Sequence, residues 1–167
     1  MTEPSLIDIA VEPLTEEDFA PYGQVLKPEE DGLPYGPQDA QLDLSRGIPR
    51  FYLMNLHGKP MQFDRITRHR QVTQCLASVG GGDWVMAVAP PDALEDPDAV
   101  PDLSRLKAFR IPGDRAVKLH VGTWHAGPYF EGDAMAFFNL ELADTNIVDH
   151  HTCKLAEAFG RRYVFVV

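Results

Sequence analysis

The segment Leu119-His120-Val121-Gly122-Thr123-Trp124-His125 sets two imidazoles and an indole around one glycine. Imidazole titrates nearest neutrality, so such a pair suits acid–base work or metal ligation. Gly122 permits a sharp turn that would fold His125 back towards His120. Upstream, Arg68-His69-Arg70 adds a third imidazole between two guanidiniums, and Gln74 follows in a strand-like run. A guanidinium fork matches a carboxylate, which points to a small carboxylic acid as ligand.

Alternation along strands groups the remaining candidates. In Arg115 to Val121, Ala116, Lys118 and His120 share one face. In Ala134 to Leu142, Asn139 and Glu141 share a face with Phe137. If both polar faces look inward, Lys118, His120, Asn139 and Glu141 line one pocket. The spacing of Gly113, His120, Gly122 and His125 is similar to the second cupin motif. Arg68, Arg70, Gln74 and Gly81 fall on the spacing of the first. Two positions that usually ligate a metal there hold arginine, which binds no cation. The usual cupin metal site therefore looks dismantled. His69, Gln74, His120 and His125 could hold a divalent metal in another geometry.

The elements that must position these residues are mostly short strands. Ile7 to Glu12 opens as a strand, and Thr15 caps a helix that Gly23 is expected to end. Further strands are expected near Gln41 to Leu44 and over Phe51 to Leu56, Arg70 to Ser78, Trp84 to Ala89, Lys107 to Ile111, Arg115 to Val121 and Ala134 to Leu142. Pro112-Gly113-Asp114 reads as a hairpin turn. A short helix near Lys154 to Phe159 and a strand over Tyr163 to Val167 follow. Short strands broken by Gly and Pro, with few helical patterns, predict an all-β, cupin-like barrel or jelly-roll sandwich over residues 1–167.

Composition narrows the partners. With 25 acidic and 15 basic side chains the net charge is −10, which disfavours nucleic acid and anionic membranes. Cys75 and Cys153 lack ligand spacing and read as free thiols. No secretory leader is evident at Met1 to Ala10, and the chain reads as cytoplasmic. No phosphate loop, nucleophile elbow or HExxH occurs.

Five segments in order resemble the ureidoglycolate lyase family. They are Phe19 to Leu26, Arg68-His69 with Gln74, Trp84 to Pro90, His120-x-Gly122-x-Trp124-His125, and Phe137 to Asp149. The resemblance implies a cupin-like homodimer that cleaves ureidoglycolate to glyoxylate and urea in allantoin breakdown, with no required cofactor. It implies His69, Gln74, His120, Trp124 and His125 as the site. His120, His125, His69 and Glu141 are the expected acid–base groups. Arg68, Arg70 and Lys118 are expected on the carboxylate, with Gln74 on the ureido group and Trp124 in the substrate wall. The chain departs from the family at Val121 and Leu142, where arginines are usual. A metal-dependent cupin enzyme acting on another small acid is the alternative, or a cupin that binds one without turnover.

Overall fold

The computed structural model describes residues 2–167. In chain order the elements are β1 (Ser5–Pro13), α1 (Glu16–Phe19), β2 (Gly23–Leu26), β3 (Pro49–His57), β4 (Gln62–Phe63), β5 (Arg65–Arg68) and β6 (Gln74–Ser78). Then come β7 (Trp84–Ala89), β8 (Lys107–Ile111), β9 (Ala116–Leu119), β10 (Trp124–Tyr129) and β11 (Ala134–Leu142). The chain continues through α2 (Thr145–Val148), β12 (His151–Lys154), α3 (Leu155–Phe159) and β13 (Arg161–Val166). The protein is mainly β, as its turn-rich sequence predicts, with curled sheets that form a half-barrel. One sheet has eight strands ordered β12-β5-β10-β7-β8-β1-β13-β4, and the other has five ordered β2-β9-β6-β11-β3.

Two apolar cores result, one on each face of the larger sheet. Between the sheets pack Phe19, Leu76, Trp84, Met86, Val88, Phe109, Val117, Leu119 and Phe137. The curl of the larger sheet encloses Ile66, Val85, Ala87, Ala89, Trp124, Ala126, Tyr163 and Phe165. This explains why β7 shows no polar alternation. Its odd and even side chains enter different cores, and all six residues are buried.

Several expectations need correction. Pro112-Gly113-Asp114 is not a hairpin turn, because β8 pairs with β7 and β1 whereas β9 pairs with β2 and β6. The turn carries the chain from one sheet to the other. Gln41 to Leu44 is not a strand. Its backbone is held by side chains instead: Gln41 N–H donates to Gln24 Oε1 at 2.8 Å and Asp43 N–H to Thr73 Oγ1 at 3.0 Å. Thr15 does cap α1, accepting from Asp18 N–H at 3.1 Å, but Gly23 opens β2 rather than ending the helix. A Cβ at Gly23 would stand 1.9 Å from the Lys118 carbonyl oxygen. That close approach of β2 to β9, not a helix cap, requires the glycine. Cys75 and Cys153 are both free. Among the described residues no helix is long and apolar enough to cross a membrane.

Candidate active site

Two strands that the sequence reading missed, β5 and β10, bring the first pair together. Thr67 of β5 stands opposite His125 of β10, and His125 stands opposite Val88 of β7. Val88 belongs to the core between the sheets, so His125 faces the smaller sheet. His69 follows β5, and its ring lies 5.1 Å from that of His125, centroid to centroid. Each ring is fixed through Nδ1. His69 Nδ1–H donates to the Asp149 carbonyl at 2.7 Å, and His125 Nδ1–H donates to the Thr123 carbonyl at 3.3 Å. A carbonyl only accepts, so both Nδ1 atoms carry hydrogen and both Nε2 atoms keep free lone pairs. Asp149 also clamps the turn that carries His69. Its carboxylate accepts the backbone N–H groups of Arg70 at 2.7 Å and Gln71 at 2.9 Å.

Burial keeps these imidazoles neutral. It pushes His125 down to about 3, with the neighbouring His69 acting in the same direction. Burial also lowers His69, opposed by its bond to Asp149 and by the charges of Asp149 and Glu141. Both rings are therefore unprotonated at Nε2 near pH 7. A consequence for stability follows. The unfolded chain binds protons on these histidines below about pH 6.5, and the folded protein does not. Stability is complete above that pH and is lost as the pH falls towards the folded value. The loss reaches up to about 1.4 kcal/mol per pH unit for His125. Urea unfolding at pH 7 and pH 5 should show a shallower loss for His125→Asn than for the parent. Parallel losses would remove the assignment.

On the smaller sheet, β3, β6 and β11 present a polar row. Asn139 of β11 stands opposite Leu76 of β6 and Tyr52 of β3, on the inner face of the smaller sheet. Gln74 Nε2 donates to Asn139 Oδ1 at 3.1 Å, and Asn139 Nδ2 donates to Glu141 Oε1 at 3.0 Å. Tyr52 O–H donates to the same Glu141 oxygen at 3.0 Å. The four side chains form one network.

The structure does not gather every expected residue here. Cys75 pairs across the sheet with Lys118, and Gln74 with Leu119. Val117 and Leu119, not Lys118, share the inner face with Gln74, Asn139 and Glu141. The expected pocket of Lys118 and His120 with Asn139 and Glu141 is therefore split by the smaller sheet. Lys118 Nζ donates to His120 Nδ1 at 3.1 Å, and His120 Nε2–H donates to the Ala20 carbonyl at 3.0 Å. The turn at Gly122 exists, with φ of +85°, but it delivers His125 to His69 rather than to His120.

The arginines and Trp124 face the other core. Arg68 is fully buried, its guanidinium 4.7 Å from the Trp124 ring centroid. Its terminal nitrogens donate to the carbonyls of Asp92 at 2.8 Å, Ala93 at 3.2 Å and Asp96 at 2.7 Å, and Nε donates to His151 Nδ1 at 3.0 Å. Arg70 donates to the Leu94 carbonyl at 3.1 Å. Both guanidiniums thus hold the loop after β7, whereas they were expected on the carboxylate of a substrate. The physical reason is strand parity: Thr67 faces His125, so Arg68 turns to the face of Trp124. Positive charge near the histidines comes instead from Lys59 and Arg65. They line a cleft of about 340 Å³ with Thr67, His125, Tyr129 and His150.

Sequence reading missed Tyr52 and the backbone clamp made by Asp149. Tyr52 looks like one of two adjacent aromatics in Phe51 to Leu56, and only its register opposite Asn139 marks it. His150 is exposed, and its ring lies 5.7 Å from that of His69, centroid to centroid. Among the described residues no three His, Cys, Asp or Glu side chains stand close enough to share a metal ion.

Two facing sheets, a buried histidine pair with free Nε2 atoms and a polar network on the smaller sheet define a half-barrel protein. Residues 6–158 match the family model described as ureidoglycolate lyase, and the chain belongs to that family. A ureidoglycolate lyase of Brucella ovis is 30% identical over 129 residues, covering 70% of this chain and 72% of that protein. One of Pseudomonas savastanoi pv. phaseolicola is 29% identical over 132 residues, with coverage of 70% and 72%.

Proposed function

We propose that this protein is a ureidoglycolate lyase, an enzyme that cleaves a carbon–nitrogen bond to release glyoxylate and urea. The observation that carries the reading is the His69–His125 pair, held through Nδ1 and free at Nε2. Ureidoglycolate is an adduct of an aldehyde and an amide nitrogen. Its cleavage moves one proton, from the hydroxyl oxygen to the departing ureido nitrogen. A neutral Nε2 takes the hydroxyl proton as the carbonyl forms and the carbon–nitrogen bond breaks. The resulting imidazolium returns that proton to the urea nitrogen. No electrons change hands and no covalent intermediate is needed, so the reading requires no cofactor.

In this scheme His69 takes the proton and His125 shares or relays it. Lys59 and Arg65 at the cleft supply charge for the substrate carboxylate. Gln74 and Glu141 face the ureido group. His120 and Lys118 support the wall from the far side of the smaller sheet. The activity belongs to allantoin breakdown in the cytoplasm. The enzyme acts as a homodimer, a reading supported by the outer face of β3 and β11. There Phe51 and Phe138 stack at 5.8 Å, and Phe51 and Leu53 are 65% and 58% exposed.

The test is release of glyoxylate and urea from racemic ureidoglycolate, measured against spontaneous decay. Equal release well above that background, unchanged by a chelator, is expected. Absence of release would sink the reading. Loss with chelator and recovery with a divalent ion would favour the metal-dependent alternative.

A further inference from the structure

We propose that the Glu141–Asn139–Gln74 network is a polarity relay that makes the site select ligands carrying N–H donors, and that Glu141 sets its direction as a positioning residue. The inference rests on the reading of this region as the substrate site and deepens it.

The direction follows from chemistry. A carboxylate accepts and does not donate. Asn139 must therefore turn its NH2 group to Glu141 Oε1, as the 3.0 Å bond records. Its Oδ1 is then left for Gln74, which must answer with Nε2 at 3.1 Å. Gln74 Oε1 consequently points away from the network. Tyr52 O–H adds a second donor to Glu141 Oε1, so the other carboxylate oxygen, Oε2, is also left over. Gln74 Oε1 and Glu141 Oε2 are both sealed from water and have no hydrogen-bond partner. Native proteins rarely leave two buried acceptors in one network without donors. Gln74 is 7% exposed and Glu141 1%, so no solvent contact explains them. An N–H group brought by a ligand would supply each with the donor that it lacks. A ureido group carries three N–H hydrogens on two nitrogens and suits such acceptors. A hydroxy acid or keto acid of the same shape has no N–H to offer and leaves both atoms unpaired.

Two stable small acids separate the cases. Ureidoacetate keeps the ureido nitrogens and the carboxylate but lacks the labile hydroxyl. Levulinate has the same chain with methyl and methylene in place of NH2 and NH. Affinity for each is measured by calorimetry or by competition with turnover. Wild-type protein is expected to prefer ureidoacetate by at least about tenfold. Glu141→Gln turns one outward acceptor into a donor, or reverses the relay so that Gln74 presents its NH2. In either state the site loses an acceptor. The preference should fall to within about threefold while levulinate affinity is retained. Gln74→Met should do the same, and it decides the matter if Glu141→Gln does not fold.

Equal wild-type affinities, or no binding of either acid, would overturn the relay. So would variants that weaken both acids together, which is the mark of a structural role. The lyase reading fails separately. Preference for ureidoacetate without release of glyoxylate from ureidoglycolate would keep the relay and remove the lyase.

Discussion

Replacing His69 with asparagine is expected to lower kcat/KM for ureidoglycolate by about 10²- to 10⁴-fold, the usual contribution of a positioned acid–base group. Asparagine can still donate to the Asp149 carbonyl, so the clamp that holds the turn survives. The free Nε2 does not. His125→Asn should fall in the same range for the same reason. Because the two rings lie 5.1 Å apart and share the proposed proton path, the double variant should lose little more than the worse single one. His120→Ala is the informative control. It separates a histidine bonded to Lys118 and Ala20 from the pair between the sheets. Turnover that collapses in His120→Ala and survives in both other variants would refute the assignment. Circular dichroism spectra that match the parent are needed in each case, because all three rings make hydrogen bonds.

Gly122→Ala should produce the second large effect, a loss of roughly 2–4 kcal/mol in unfolding free energy. Two causes add. The residue holds φ of +85°, where an L side chain is strained. An added Cβ would also stand 1.9 Å from Leu94 Cδ2 and 3.3 Å from Pro91 Cβ. Gly122 N–H donates to the His69 carbonyl at 2.7 Å, so a shifted turn displaces a proposed catalytic ring as well. Activity should fall along with stability. The causes separate by a second change. Leu94→Ala in the same chain removes the clash and leaves the backbone strain, so part of the lost stability should return. Urea unfolding of the parent, both single variants and the double variant measures this. A loss below about 0.5 kcal/mol in Gly122→Ala would mean that the turn accepts a side chain.

The all-β class was legible because alternation, turn residues and the double-sided run Trp84 to Ala89 each point to strands. What was not legible was which strands pair. Pro112-Gly113-Asp114 has hairpin chemistry, yet β8 and β9 lie in different sheets. That single crossing changes which face of β9 looks inward, and it moves Lys118 and His120 away from Asn139 and Glu141. β10 escaped notice because Gly127 and Pro128 interrupt it and its register with β7 shifts between Ala126 and Tyr129. His125 consequently looked like part of a turn rather than of a strand. The residue types of the site were readable all the same. His69, Gln74, His125 and Glu141 stand out for chemistry. Tyr52 and Asp149 work through a hydroxyl and a backbone clamp whose partners are 87 and 79 residues away.

One pairing bears on how the molecule comes to exist. β1 lies parallel to β13, from Ser5 against Arg161 to Ala10 against Val166. A ribosome makes β1 well before β13. Throughout elongation Ile7 and Ile9 wait without Tyr163 and Phe165, their partners in the same core. The larger sheet therefore closes only after synthesis of β13, and the nascent chain carries an open β1 edge until then. A parallel pairing between strands so far apart in the chain is slow to form, and the β1 edge stays open to other strands until β13 is made.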